Sequence, residues 1–157
     1  NLYEEVEADK TSTGQAMGVV VLSSLAAGIG SMSMGGSNLF FGTIAALAGW
    51  YLWAYLTYLI GTRFLPEPQT KADHGELLRT IGFSSSPGII RVLGIIPMLT
   101  SLVFTMSGIW MLVSMVIAVR QALDYKSTLR AVGVCFIGFV IQVIILMLVL
   151  SLTGGVK

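Results

Sequence analysis

Charged residues are scarce in this chain. Asp, Glu, Lys and Arg make up 11% of its 157 residues, whereas a soluble globular domain carries about 25%. Hydrophobic residues make up 55% of the chain, and its mean hydropathy is +0.85. This balance excludes an ordinary soluble domain and predicts an integral membrane protein with little mass outside the bilayer. The formal net charge of +1 does not supply the basic face that nucleic-acid binding needs, so we expect no nucleic-acid partner.

Groups that carry chemistry are equally few. Cys135 is the one cysteine, which excludes an intrachain disulfide and a metal site built on cysteines. The sequence holds no Walker lysine, no GxSxG, no His/Glu metal spacing and no carboxylate pair inside the apolar runs. We therefore predict that the chain is not an enzyme and that it binds lipids rather than a cofactor.

His74 is the one histidine. It stands at a predicted helix start, beside Asp73 and Glu76, which have the spacing of a capping box. That position is typical of a solvated cap. Proton relay, and ligation of a pigment or haem, are the alternatives.

What the sequence does have is a set of long uncharged runs. The run from Phe40 to Gly61 is about 33 Å long at helical rise, which matches a hydrocarbon core of about 30 Å. The runs predict an all-α polytopic bundle of about five spans, at 14–34, 39–63, 74–96, 98–120 and 130–152. We expect the third span to be kinked near Pro87, with an interfacial first half whose polar side holds Arg79 and Thr80. A re-entrant hairpin is the alternative for this segment.

The basic residues sort to one face of the predicted bundle. That face is shared by the N-terminus and the loops after the second and fourth spans. Its basic residues are Lys10, Arg63, Lys71, Arg79, Arg120, Lys126 and Arg130. The opposite face has only Lys157, and Arg91 is embedded. By the positive-inside rule the first face is cytoplasmic, which predicts a cytoplasmic N-terminus and a C-terminus outside.

The whole chain, 1–157, is predicted to form a single membrane domain, in which residues 1–12 make a short acidic segment at the interface. The acidic residues of this segment are Glu4, Glu5, Glu7 and Asp9. They form either a solvated helix face or a docking surface for a basic cytoplasmic partner.

Small residues recur at helical spacing on the first two predicted spans. Such stripes let a second helix approach closely within a membrane. The second span carries Gly42, Ala45, Ala46 and Gly49, and the first carries the pairs Gly14/Gly18 and Ser24/Gly28. We expect these faces to seat other helices.

Arg91 and Gln142 are the most prominent polar residues inside the apolar runs. A central cation costs about 2.5–3.5 kcal/mol on insertion scales. Arg91 therefore either contacts an anionic lipid headgroup or a partner's carboxylate, or it snorkels to the nearby outer interface. We expect Gln142, Gln15 and Thr43 to make interhelical hydrogen bonds.

Three stretches resemble the Yip1 family, in particular its short bacterial members. They are GWYLWAYLTYLIGTRFL (Gly49–Leu65), GELLRTIGFSSSPGIIRVLGIIP (Gly75–Pro97) and IWMLVSMVIAVRQALDYKSTLRAVGVC (Ile109–Cys135), in family order. The resemblance covers residues 40–152 and implies a five-span all-α bundle with a cytoplasmic N-terminus, here in the bacterial cytoplasmic membrane. Eukaryotic members act in vesicle trafficking through membrane-anchored small GTPases, but this chain lacks their long N-terminal region. For bacterial members the resemblance implies no defined activity and no catalytic residues.

We therefore expect a non-catalytic membrane scaffold that organises other membrane proteins or lipids. One form of it is an accessory subunit of a photosynthetic or respiratory complex. The rival interpretation is a transporter or lipid-handling protein in which Arg91 and Gln142 line a polar cavity. The inverted repeats and paired broken helices that mark many transporters are not evident in the sequence. Membrane lipids and other integral membrane proteins are the expected partners.

Overall fold

The computed structural model describes residues 5–6, 8–32 and 39–152, and all the regular structure within these ranges is helical. A 3-10 turn, Lys10–Ser12, precedes helix α1, which is Thr13–Gly30. Helix α2 is Leu39–Leu59 and continues as a π-helix, Ile60–Phe64. Helix α3 is His74–Ser84, and a 3-10 helix, Ser86–Ile95, follows it. Helices α4 and α5 are Thr100–Ala122 and Thr128–Leu152.

Four helical segments are long and apolar enough to cross a membrane. They are Lys10–Gly30, Leu39–Phe64, Thr100–Ala122 and Thr128–Val149. The prediction of an all-α polytopic bundle is confirmed. Helix α1 ends at Gly30, and the predicted end of the first span, at residue 34, lies outside the described residues.

The third predicted span, 74–96, consists of two helices. A capping box begins α3, in which the Asp73 carboxylate accepts from the Glu76 amide and the Glu76 carboxylate accepts from the Asp73 amide, both at 2.8 Å. Pro87 stands in the first turn of the following 3-10 helix, where its missing N–H costs little. Inside a continuous α-helix the same proline would remove a hydrogen bond. The predicted kink is therefore present.

This broken segment runs parallel to α1 along its length. Gly82 lies against Ala16, Gly88 against Ser23, and Gly94 against Gly30, so both chains advance in the same direction. Eleven α-helical residues and ten 3-10 residues give a contour of about 36 Å, which is enough to cross a core of about 30 Å. The segment thus ends beside the end of α1, as a kinked span does and a re-entrant hairpin does not.

Helix α3 is packed on both its apolar and its polar side; that it lies at the membrane interface stays a prediction. It packs against α1, α2 and α4, so its polar side is inside the bundle as well. Arg79 and Thr80 are only 4% and 0% exposed. Their polar atoms have partners, because the Arg79 Nε donates to the Val6 carbonyl at 3.0 Å and the Thr80 hydroxyl donates to the Glu76 carbonyl at 2.9 Å.

The packed core lies in one half of the bundle, which we call the basic end. This half contains the start of α1, the connection from α2 to α3, and the connection from α4 to α5. Leu77, Val119, Leu123 and Val134 are fully buried there. Among the described residues, Arg91 is the one charged side chain outside the basic end. That the basic end faces the cytoplasm stays a prediction of the positive-inside rule.

The two connections at the basic end are joined by polar contacts. The Tyr125 hydroxyl lies 2.7 Å from the Leu65 carbonyl and 3.1 Å from the Gly61 carbonyl. Glu67 accepts from the Lys126 amide at 3.0 Å and pairs with Arg130 at 3.3 Å. The N–H of Lys126 holds the pKa of Glu67 below its usual value. These contacts fix the ends of four helices relative to one another.

Candidate functional site

The other half of the bundle contains a partly open cavity of about 1050 Å³. Side chains from α1, α2, α4, α5, the end of α3 and the 3-10 helix line it. On α2 the lining residues run from Leu39 to Trp53, a height of about 21 Å at helical rise. Toward the basic end, the Trp50 Nε1 donates to the Leu78 carbonyl of α3 at 3.0 Å. There the cavity lies against α3, which contributes Ile81 to its lining, and we call this end the floor.

The small-residue stripe of α2 faces this cavity. Gly42, Ala46 and Gly49 line it, whereas Ala45 does not. A Cβ added at Gly42 would meet no heavy atom within 4 Å, and one at Gly49 would meet only the Gln142 Nε2, at 3.8 Å. Among the described residues, the glycines of the stripe seat no closely packed helix. It leaves open space where larger residues would fill the bundle.

The small-residue pairs of α1 divide between the cavity and the outside. Ser24 and Gly28 line the cavity, and the Ser24 hydroxyl donates to Thr43 of α2 at 3.3 Å, which confirms the interhelical bond expected of Thr43. Gly14 and Gly18 lie off the cavity, and a Cβ at either would meet nothing within 4 Å. That these two glycines seat a partner's helix stays a prediction.

The close helix approaches occur at glycines that the spacing argument did not select. A Cβ at Gly82 would lie 2.8 Å from the Ala16 Cβ, and one at Gly94 would lie 3.0 Å from the Gly30 carbonyl oxygen. At Gly88 it would collide with Ser23. These three glycines belong to the third segment. They stand six residues apart in the chain, so they do not form small-xxx-small pairs with one another, in which the two small residues are four apart.

Arg91 lies on the cavity wall, and its side chain is turned into the bundle. Its Nε donates to the Ser107 hydroxyl at 2.9 Å, and its guanidinium carbon lies 5.5 Å from the centre of the Phe104 ring. Ser107 is seven residues into α4, which is about 10 Å from the start of that helix. The guanidinium therefore lies level with Ser107, and snorkelling to the outer interface stays a prediction.

Gln142 and Trp53 bring further polar atoms to the cavity. Both line it, and their helices meet where Gly138 of α5 contacts the Trp53 ring. The Gln142 Oε1 and the Trp53 Nε1 are buried without a hydrogen-bond partner in the described structure. The expected interhelical hydrogen bond of Gln142 does not form there. Unpaired buried groups of this kind cost about 1–3 kcal/mol each.

The family model described as Yip1 domain matches residues 4–150. The chain belongs to the Yip1 family. Comparison with curated proteins gives no match, and comparison with solved structures gives none either. The match covers nearly the whole chain and includes every residue that lines the cavity. With four helices long and apolar enough to cross a membrane in the described part of the chain, this Yip1-family protein is an integral membrane protein.

His74 of this Yip1-family protein is not a solvated cap, which corrects the sequence-based interpretation. Asp73 and Glu76 do the capping, while both ring nitrogens of His74 are buried without a hydrogen bond in the described structure. Its ring packs edge-on against three tyrosines of α2, with centroids 5.0 to 6.2 Å apart. They are Tyr51, Tyr55 and Tyr58. That His74 ligates no pigment or haem stays a prediction.

Part of the acidic N-terminal segment is packed onto the Yip1 bundle. Val6 is 8% exposed, and the Ser12 hydroxyl donates to its carbonyl at 3.2 Å. Glu5 and Asp9 are exposed, whereas Glu4 and Glu7 lie outside the described residues. The Thr11 hydroxyl bonds to the Asp9 carboxylate at 2.6 Å and lowers its pKa. Docking of a basic partner on this segment stays a prediction.

Proposed function

We propose that this Yip1-family protein is a non-catalytic membrane protein that holds a lipid or a similar amphiphile inside its helix bundle. The cavity is the observation that carries this proposal. Its volume of about 1050 Å³ is at the upper end of the range of small-molecule sites, about 300–1,000 Å³. Its walls are mostly apolar, and the polar side chains of its lining include Arg91, Gln142 and four serines.

The shape of the cavity suits a chain-like molecule. Its height on α2 is about 21 Å, more than the hydrocarbon depth of one leaflet, which is about 15 Å. At the level of Gly42 no neighbouring atom seals the wall, so a lipid chain has a way in from the bilayer.

A substitution in the middle of the cavity tests this proposal. Ala46→Trp places an indole among the lining residues, while Ala45→Trp places the same group on the adjacent residue, which is exposed and does not line the cavity. We expect Ala46→Trp to reduce the fraction of protein that retains lipid severalfold, and Ala45→Trp to leave it unchanged. The measurement is native mass spectrometry after purification in a mild detergent. Equal lipid retention in both variants and the parent would contradict the proposal.

A scaffold role is the second candidate function, and the outer face of α1 supports it. Gly14 and Gly18 have open space around them and take no part in packing the bundle, so they offer a partner's helix a close approach. An accessory subunit of a photosynthetic or respiratory complex is one form of this role. The same purification tests it, because a chain that leaves native membranes as a lone monomer is not a stable subunit.

A further inference from the structure

Arg91 has unused hydrogen-bonding capacity at the cavity wall. A guanidinium carries five N–H donors, and in the described part of the chain only Nε has a partner, the Ser107 hydroxyl. The terminal nitrogens are not among the buried polar atoms without partners, so they remain accessible. Arg91 is one of the residues that line the cavity, so a molecule in the cavity lies next to this side chain.

The charge of Arg91 also has no counterion among the described residues. The other charged side chains there belong to the basic end, whereas Arg91 lies level with Ser107 near the opposite end. The Phe104 ring compensates only in part, because a cation over an aromatic face gains about 0.5–2 kcal/mol. The structure therefore holds a cation whose natural partner is an anion that enters the cavity.

We propose that the amphiphile in the cavity is anionic, with its phosphate or carboxylate bonded to Arg91 and its chains along the apolar walls toward the floor. This inference rests on the proposed function and adds the charge of the ligand to it. A guanidinium fork binds two oxygens of such a group at once. The Ser107 bond and the Phe104 ring hold the fork in place, so little side-chain freedom is lost on binding.

The other polar side chains of the cavity do not compete for this role. The Ser24 hydroxyl bonds to the Val21 carbonyl of its own helix at 2.8 Å, and Gln142 and Trp53 are neutral. They suit hydroxyl or ester groups of the ligand. Among the described lining residues, Arg91 is the one cation. Removing its charge should therefore weaken recognition of the headgroup and leave burial of the chains unchanged.

The test is a competition between two phospholipids with identical chains. Delipidated full-length protein receives an equimolar mixture of phosphatidylglycerol and phosphatidylcholine in mixed micelles, and native mass spectrometry measures the ratio bound. We expect the parent to prefer phosphatidylglycerol about tenfold, equivalent to about 1.4 kcal/mol. Arg91→Gln should bring the ratio near one while total bound lipid persists. Arg63→Gln, an exposed arginine at the basic end, should keep the preference.

Each alternative outcome is distinct. Equal binding of the two lipids by the parent, or an unchanged preference in Arg91→Gln, overturns the anionic ligand but leaves the cavity a lipid site. If neither lipid binds, the proposed function fails as well. If Arg91→Gln does not fold, Arg91→Lys serves as the second variant. It keeps the positive charge but lacks the guanidinium fork, so its preference for phosphatidylglycerol should lie between that of the parent and a ratio of one. Sodium oleate that displaces phosphatidylglycerol supports a single-chain carboxylate as ligand, whereas displacement by inorganic phosphate alone overturns the amphiphile.

Discussion

At the residue scale, polar side chains in the described structure fall into two groups. At the basic end Tyr125, Glu67 and Arg79 have hydrogen-bond partners, whereas the ring nitrogens of His74 do not. Around the cavity, Arg91 and Gln142 keep free capacity. The sequence pointed to these two because a polar residue in an apolar run is conspicuous. It did not point to Ser107 or Tyr125, because their roles depend on contacts between residues far apart in the chain.

Tyr125 supplies the first prediction at this scale. Tyr125→Phe removes the hydroxyl that reaches the Leu65 and Gly61 carbonyls and leaves these acceptors without that donor at a buried site. The expected loss is about 1–3 kcal/mol, seen as a fall of several degrees in the apparent Tm in detergent. Tyr55→Phe is the matched control, because the Tyr55 side chain is 46% exposed. A Tyr125→Phe protein as stable as the parent contradicts the role given to this hydroxyl.

The same tyrosine gives a pH dependence of known sign. Burial raises the pKa of Tyr125 to about 12, above the usual value of about 10 for an unfolded chain. The folded state therefore holds the proton more tightly. The contribution of Tyr125 is present in full below pH 10 and is lost as the pH rises through about 12. The stability difference between the parent and Tyr125→Phe should shrink over this range.

At the element scale, the third segment is where prediction and structure differ most. The capping box of α3 and the kink at Pro87 follow from local chemistry, and both were predictable. The burial of α3 was not predictable, because it depends on the packing of three other helices against it. The ten-residue 3-10 helix was not predictable either, because 3-10 runs longer than about four residues are uncommon. This one is supported by its packing against α1 and α4.

A pair of alanine substitutions tests that packing. Gly82→Ala puts a Cβ 2.8 Å from the Ala16 Cβ, so α1 and α3 must separate, and overpacking of this kind costs about 1–3 kcal/mol. Gly18→Ala lies on α1 where nothing is within 4 Å, and there alanine gains about 0.8–1 kcal/mol of helix propensity. We expect the apparent Tm to fall in the first variant and to rise or stay level in the second. Equal shifts would show that α3 does not lie closely on α1.

At the scale of the whole molecule, the chain separates into a packed half and a hollow half. The composition and the apolar runs predicted the bundle, because membrane insertion is decided by long stretches of sequence. The cavity was not predictable from the stripe on α2. Small residues allow either close packing or open space, and only the positions of α4 and α5 decide between them.

The orientation of these two halves is the last prediction. Seven basic residues lie at the basic end, and moving them across a bilayer is costly, so the positive-inside rule places this end in the cytoplasm. Lys71→Cys marks the basic end, and Met98→Cys marks the opposite end, where Met98 is 93% exposed. A membrane-impermeant maleimide added to intact cells should label Met98→Cys at once and Lys71→Cys only after permeabilisation. The parent is the control, because its Cys135 is buried. The reverse labelling pattern would mean that the basic end lies outside the cytoplasm and that the hollow half, with Arg91, lies in the inner leaflet.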